Sequence, residues 1–414
     1  MKVGTAIKKI NPEVGCQMEG YTPRNSTGQH DDLTVSVLAI NHDFLIISVD
    51  LIALPGYRVD RIKRKIQKDF AIDPQQIIIS AVHTHSGPTV TDLLIDYPKI
   101  DEKYWSQIDT QVILAVKEAL LNLTVSELKL IQYQVKDGIY SNRNNKNFPY
   151  NRNIFELRFS DDRGILASYL LVASHPTVMN FKNTLLSADL IHEIRSRYEE
   201  VNGVTPVVAL SDCGDTSTRF TRQESSFKEI KRLGSLIKAT LKKPVYTKEL
   251  NWNLKSIKTI EQRCDYNPVN EEKVKAIYNI CKAEYKSDKE AQKHLLNTYQ
   301  HVLYYGHTHF ETQAYVYDFD NFRIVTYPGE LVYNLGNKIR TYDKKSTLLV
   351  TLANDYRGYS VDKTEFGKYF ESYNSVFLIG MADQFVNNII ATFWFDIKLH
   401  NWLLFSFKGN FEIS

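Results

Sequence analysis

The stretch Ile77-Ile78-Ile79-Ser80-Ala81-Val82-His83-Thr84-His85-Ser86-Gly87-Pro88 constrains this chain more than any other. A β-branched apolar run of this length reads as a buried strand, and Gly-Pro stops it sharply. Side chains alternate along an extended chain, so residues two apart share a face. His83 and His85 are therefore expected to project together beyond the strand's carboxyl end, where α/β proteins bind ligands. Two imidazoles so placed suit a pair of metal ligands, or one ligand beside a proton donor, because zinc favours imidazole. The plain alternative is a polar strand end with ordinary histidines.

The same device recurs along the chain. Phe44 to Val49 runs into Asp50, Leu166 to Ala173 into Ser174-His175-Pro176, and Val207 to Leu210 into Ser211-Asp212-Cys213-Gly214-Asp215-Thr216-Ser217. Strands expected at 313–319 and 322–326 lead to Tyr327-Pro328-Gly329-Glu330, and one at 348–353 precedes Asn354-Asp355-Tyr356-Arg357-Gly358-Tyr359. Helical spacing covers 59–70, 104–121 and 227–241. The strand at 44–50, the helix at 59–70 and the strand from 77 make a βαβ unit with an expected right-handed crossover. The fold class predicted is α/β: mixed β-sheets flanked by helices, with the active site at strand carboxyl ends.

Residues 262–300 are Lys- and Glu-rich with helical spacing over 271–285 and 288–299, and read as a helical insertion or lid packed on the sheet, not a separate domain. Residues 381–414 are set apart as an aromatic C-terminal tail, with Phe393, Trp394, Phe395, Trp402 and Phe405. Asp396, Lys398 and His400 interrupt it, so it falls short of the ~20 apolar residues that cross a bilayer. Terminal strands, an interface and a peripheral membrane contact all fit it.

Composition narrows the class. With 43% apolar and 24% charged residues among 414, the chain is a globular protein with material for a large core. A net charge of +3 with interspersed signs lacks the broad basic footprint of a nucleic-acid binder. The densest basic run, Arg61-Ile62-Lys63-Arg64-Lys65, reads as a solvated helix face. The first residues show no signal-peptide core, and Cys16, Cys213, Cys264 and Cys281 are scattered, so a reducing, cytoplasmic setting is expected.

His83, His85, His175 and Glu330 together offer a nitrogen and oxygen donor set suited to zinc, which in catalytic sites takes three protein ligands and keeps one position open. Their spacings exceed those of short metal motifs, so only the fold can bring them together. Arg143, in the Asn-rich loop 141–152, could clamp an anionic or carbonyl oxygen, although solvent is the ordinary setting of a loop arginine. Asp189 and Asp215 read as helix N-caps. His30 reads as an ordinary hydrogen-bonded histidine. A second His-x-His, His307-Thr308-His309, lacks the buried run and the Gly-Pro stop, and reads as a surface strand.

The motif order resembles the neutral/alkaline (non-lysosomal) ceramidase family, and the resemblance implies a catalytic domain spanning 1–380. The order comprises Gly20-Tyr21, Ser48-Val49-Asp50-Leu51, His83-Thr84-His85-Ser86-Gly87-Pro88, Asn142-Arg143, His175-Pro176, Ser187-Ala188-Asp189, Gly214 to Ser217, Pro328-Gly329-Glu330 and Leu352 to Tyr359. The resemblance implies a zinc-dependent amidohydrolase acting on the N-acyl amide of ceramide or a related N-acyl lipid. His83, His175, Glu330 and Tyr359 would be the zinc ligands, with Tyr359 preferred to Tyr356. His85 would handle a proton or a substrate hydroxyl, and Arg143 and Gly20 would contact the substrate. Ser217 would be the family's active-site serine, either a nucleophile or a hydrogen-bond donor. The family's paired glutamates and spaced tyrosines are blurred here to Lys363-Thr364-Glu365-Phe366-Gly367-Lys368-Tyr369-Phe370-Glu371. Another soluble N-acyl compound or ester, or a binding protein that keeps the fold, are the rival readings.

Overall fold

The computed structural model describes residues 1–92, 98–264, 271–284 and 310–393, together with 286, 287, 289, 292 and 296. The His307–His309 pair, most of the expected helix at 288–299 and the tail beyond 393 lie outside the described residues. Two five-stranded sheets and one four-stranded sheet carry the architecture. The first runs Ile77–Ala81, Phe44–Val49, Thr34–Ile40, Lys2–Lys9, Thr124–Val125. The second runs Val207–Leu210, Gly164–Val172, Asn153–Asp161, Glu127–Gln134, Pro244–Leu250. The third runs Leu254–Cys264, Phe310–Phe319, Phe322–Thr326, Ser346–Val350. Sheets of mixed direction flanked by helices are what the alternation of strand and helix patterns predicts.

Most pairings are antiparallel, yet each sheet ends in one parallel pair. These are Phe44–Val49 with Ile77–Ala81, Gly164–Val172 with Val207–Leu210, and Phe322–Thr326 with Ser346–Val350. Parallel neighbours need a crossover, and a helix supplies it each time: Gly56–Phe70, Leu190–Asn202 and Tyr333–Arg340. The chain therefore contains three βαβ units, one per sheet. Their strand ends are stitched together. The Ala81 N–H donates to the Leu352 carbonyl at 3.1 Å, that of Thr351 to Leu210 at 2.8 Å, and that of Asn354 to Ile79 at 2.7 Å. All three sheets thus meet at their carboxyl ends.

One apolar core lies between the sheets, with Ile46, Ile78, Phe159, Leu171, Phe319 and Ile324 fully buried in it. A second packs helices 56–70, 102–121, 190–202 and 227–241 onto the outer faces of the first two sheets. A third covers the outer face of the third sheet with Leu335, Ile339, Phe385, Val386 and Ile389, the last three from helical residues 381–393. Burying each such side chain is worth about 1.5–3 kcal/mol. Residues 262–264 finish the strand Leu254–Cys264 rather than opening the helical insertion, and Glu271–Glu284 is helical as predicted. No helix among the described residues is long and apolar enough to cross a membrane.

The basic run of helix 56–70 departs from expectation. Arg61 and Lys65 converge on the buried Asp109 of helix 102–121, at 2.7 and 2.6 Å. Lys63 turns inward with Val59, Ile62 and Ile66, because it falls on their helical stripe. Only part of the run is a solvated face.

Candidate metal centre

His83 lies two residues beyond the strand Ile77–Ala81, and its backbone is not extended, with φ +64°. Strand alternation therefore does not aim His83 and His85; a left-handed turn does. That conformation costs a non-glycine residue on the order of 1–3 kcal/mol and gathers at functional sites. It is held by backbone hydrogen bonds from His83 to Leu51 at 2.9 Å and from Val82 to Val49 at 3.1 Å, along the neighbouring parallel strand. The turn brings the two Nε2 atoms within 3.3 Å, with the rings nearly perpendicular.

His175 follows Gly164–Val172, and Glu330 follows Phe322–Thr326, each at the carboxyl end of its βαβ unit's first strand. His175 Nε2 stands 2.6 Å from Glu330 Oε2, and His83 Nε2 stands 3.2 Å from the same oxygen. The ligand atoms of His83, His175 and Glu330 all lie within 4.8 Å of one another, and all three residues are buried. Gly214 makes the approach of the sheets possible: a Cβ there would lie 2.7 Å from the Glu330 carbonyl oxygen.

The hydrogen bonds around the group decide what it can hold. His83 Nδ1–H donates to the Ile52 carbonyl, and His175 Nδ1–H to that of Cys213, both at 2.7 Å. His85 Nδ1–H donates to the Gly20 carbonyl at 3.0 Å. Tyr356 donates its hydroxyl to Glu330 Oε1 at 2.6 Å, which leaves Oε2 turned inward. Every atom that converges is then an acceptor. Burial pushes the His175 imidazole below its usual pKa and that of His85 well below it, each aided by neighbouring positive charge. Burial opposes the Glu330 carboxylate, but His83 and His175 hold its pKa well below the usual range. Facing lone pairs repel unless a cation lies among them, and two imidazoles with a carboxylate are a known donor set for catalytic zinc. Carbonyl groups behind the imidazoles are the usual outer partners of such ligands.

Tyr359 places its hydroxyl 3.2 Å from His175 Nε2, whereas the Tyr356 hydroxyl reaches Glu330 Oε1. Arg143 is not the solvent-exposed loop arginine that its setting suggests. Its Nε donates to the buried Glu371 carboxylate at 2.5 Å, and its guanidinium lies over the rings of Tyr359 and Phe370 at 5.0 and 5.7 Å. Burial works against the Arg143 charge, but Tyr359 and Glu371 hold it protonated. Ser217 sits in the short strand Thr216–Ser217, paired with Ser141–Asn142, so it lies across from the residues that lead into Arg143. Its neighbour Thr216 offers its carbonyl to the His175 backbone N–H at 3.0 Å, and the Ser217 hydroxyl accepts the Arg219 N–H at 3.2 Å.

Gly20 has φ +95°, and a Cβ on it would fall 2.6 Å from His85 Nδ1 and 2.7 Å from Ile52 Cδ1. Gly20→Ala is therefore expected to displace His85 while leaving metal content unchanged. Metal analysis beside the histidine resonances in the NMR spectrum checks the separation: the His85 signals should shift while metal content stays the same.

Asp189 caps helix Leu190–Asn202 as expected, accepting the Leu190 N–H at 2.7 Å, and also takes the N–H groups of Val178 and Met179. Asp215 serves a distant helix, accepting the Tyr333 N–H at 2.8 Å. His30 stacks on Phe227 and bonds Asp31 at 2.9 Å, an ordinary role. The carbonyls of Ile52 and Cys213 and the ion-pair partner Glu371 had no signal in the sequence. Backbone carbonyls carry no residue type, and Glu371 stands in the blurred segment. Tyr356 was visible only as a rival ligand.

Three βαβ units that deliver two histidines and a glutamate to one buried point define an α/β protein with a candidate metal centre. Solved structures share this fold. One, a "Ceramidase complexed with C2", aligns with TM-score 0.72 at 14% identity over 93% of this chain and 73% of its own. Another, a neutral ceramidase from Pseudomonas aeruginosa, aligns with TM-score 0.71 at 14% identity over 94% of this chain and 73% of its own. No protein-family model and no curated protein matches the chain. The chain thus has the neutral ceramidase fold, as its motif order predicts.

Proposed function

We propose that this chain is a zinc-dependent amidohydrolase that cleaves the N-acyl amide of ceramide or a related N-acyl lipid, giving a fatty acid and an amine, the sphingoid base. The observation that carries the reading is the convergence of acceptor atoms from His83, His175 and Glu330 at the joined strand ends of a ceramidase fold. His83, His175 and Glu330 would hold the ion, with the Tyr359 hydroxyl as a fourth donor. Bound there, zinc supplies a Lewis acid and a water whose pKa falls to about 7.

The chain's own groups do the rest. Arg143, held by Glu371, would orient the acyl oxygen or a substrate hydroxyl. His85 is neutral, with Nδ1–H fixed on Gly20, so its Nε2 can take a proton from the attacking water and return it to the departing amine. Water's oxygen joins the acyl carbon, the C–N bond breaks, and the amine leaves with the proton. Gly20 would flank the substrate as well as fix His85. Ser217 would support the substrate by a hydrogen bond, because a metal site generates its own nucleophile; an acyl-Ser217 adduct seen by mass spectrometry would reverse that role.

Metal analysis together with hydrolysis of N-acylsphingosine tests the whole reading. The expected result is stoichiometric zinc and a preference for long N-acyl chains. Preference for polar N-acyl compounds would move the substrate class, and protein without zinc or hydrolysis would overturn the proposal. Tyr359→Phe should remove one oxygen ligand by X-ray absorption. Tyr356→Phe should keep the ligand number but weaken metal affinity about 10-fold, as loss of an outer partner does; the opposite pattern assigns Tyr356 as ligand.

A further inference from the structure

A cleft of about 390 Å³ opens away from the metal centre, between helix 56–70 and the strands Leu254–Cys264 and Phe310–Phe319. None of His83, His175 and Glu330 lines it, although Asn354, Asp355 and Arg357 of its wall flank Tyr356. Its volume falls within the range of small-molecule sites. Lys63 lines the cleft from the inward stripe of its helix and is only 5% exposed. Its amine has no hydrogen-bond or ion-pair partner among the described residues; the Tyr315 ring lies 5.3 Å away, and the carboxylates of Asp60 and Asp73 act on it only from beyond ion-pair reach. Of the other charged groups of the cleft, Asp355 is engaged with Arg357 at 2.8 Å and with Thr312 at 2.7 Å, and Glu311 with Arg263 at 3.5 Å, whereas Asp60 and Glu261 face it without an ion pair of their own among the described residues.

Lys63 Nζ is not sealed among the buried polar atoms but opens on the cleft at the end of a buried stem, and a lysine desolvated in this way gives up its proton readily, the property that catalytic amines use. We propose that Lys63 is a nucleophilic amine and that its cleft is a binding site for a small carbonyl compound, an aldehyde or ketone, separate from the metal centre. The amine lone pair attacks the carbonyl carbon to give a carbinolamine. Both N–H protons then leave with the carbonyl oxygen as water, forming a C=N bond to Nζ. Asp60 on the same helix and Glu261 on the facing strand line the cleft and can supply and receive the protons.

Burial lowers the Lys63 pKa to about 7, against the pull of Asp60 and Asp73. At pH 7 it would therefore hold about 10³-fold more free base than an ordinary lysine. Its lower basicity trims the advantage in rate to about 10-fold.

The test is reductive alkylation of the whole protein with butanal and sodium cyanoborohydride, followed by peptide mass mapping. At pH 7 Lys63 should be alkylated about 10-fold faster than any other lysine, with a rate that levels off near pH 7 while the others keep rising. Lys63→Arg should lose that fast label with unchanged metal content. Labelling of Lys63 no faster than exposed lysines, or a rate still climbing above pH 9, would overturn the proposal on the wild-type protein alone. Neither result depends on what the metal centre hydrolyses.

Discussion

Glu330→Gln should leave the purified protein with trace metal and lower the proposed amide hydrolysis by about 10³-fold, the upper end of what loss of one preorganised electrostatic group costs. The amide keeps the volume and can still accept the Tyr356 hydroxyl, so the buried position stays filled and bonded. What it lacks is the charge. Two neutral imidazoles with an amide oxygen hold a divalent cation far less firmly than two imidazoles with a carboxylate. If the amide turns its NH2 inward, a donor replaces an acceptor and can bond His175 Nε2 directly, which excludes the ion. His175→Ala should give the same loss of metal, but with a cavity beside Cys213 that also lowers stability. The conservative variant is therefore the cleaner of the two. Thermal melts with added zinc supply a check independent of activity: wild type should gain stability with zinc, and Glu330→Gln should gain almost none. Full metal content in Glu330→Gln would remove Glu330 from the ligand set.

How much of this was legible in the chain depends on the kind of interaction. Buried strands announced themselves by continuous apolar runs, and helices 104–121 and 227–241 by their spacing, within a residue or two of Glu102–Leu121 and Phe227–Leu241. Local pattern could not show that the three parallel pairs belong to three different sheets, because hydrogen bonds such as Thr351 to Leu210 join residues about 140 apart. The buried Lys63 also escaped: four basic residues among five positions look like a solvated face, and only the phase set by Val59, Ile62 and Ile66 turns one of them inward.

The convergence of His83, His175 and Glu330 was readable because strand ends that run into Gly-Pro, His-Pro or Pro-Gly mark places where a side chain is presented. The reason given for His83 and His85 was wrong in its geometry. Alternation would place them on one face of an extended chain, but the strand stops at Ala81 and a positive φ at His83 turns the chain. Positive φ in a non-glycine residue is imposed by tertiary contacts, here the backbone bonds to Val49 and Leu51, so no residue type betrays it. Outer partners were the least legible: an imidazole's tautomer is set by carbonyls of Ile52, Cys213 and Gly20, which any sequence would provide.

Glu371→Leu should cost about 3 kcal/mol of stability and lower kcat/KM about 10²-fold, because it leaves one half of a buried ion pair without the other. The Glu371 carboxylate is fully buried and accepts from Arg143 Nε at 2.5 Å and Asn144 Nδ2 at 3.0 Å. Removing it leaves the Arg143 guanidinium against the rings of Tyr359 and Phe370 without its ion-pair partner. Glu371→Gln should recover part of the loss, since its carbonyl can still accept from one of the two donors. The decisive measurement is a double-mutant cycle with Arg143→Met, read by chemical denaturation and by kcat/KM. If Glu371 acts by holding Arg143, then once Arg143 is gone a change at Glu371 should cost little more, and the two losses should fall well short of their sum. Additive losses would mean that Glu371 supports only its own segment. In the cycle Arg143→Met should raise KM more than it lowers kcat if the guanidinium binds ground state and transition state alike, and lower kcat if it meets only the developing charge. The ion pair thus ties the segment around Phe370 to the side of the candidate metal centre where Tyr359 lies.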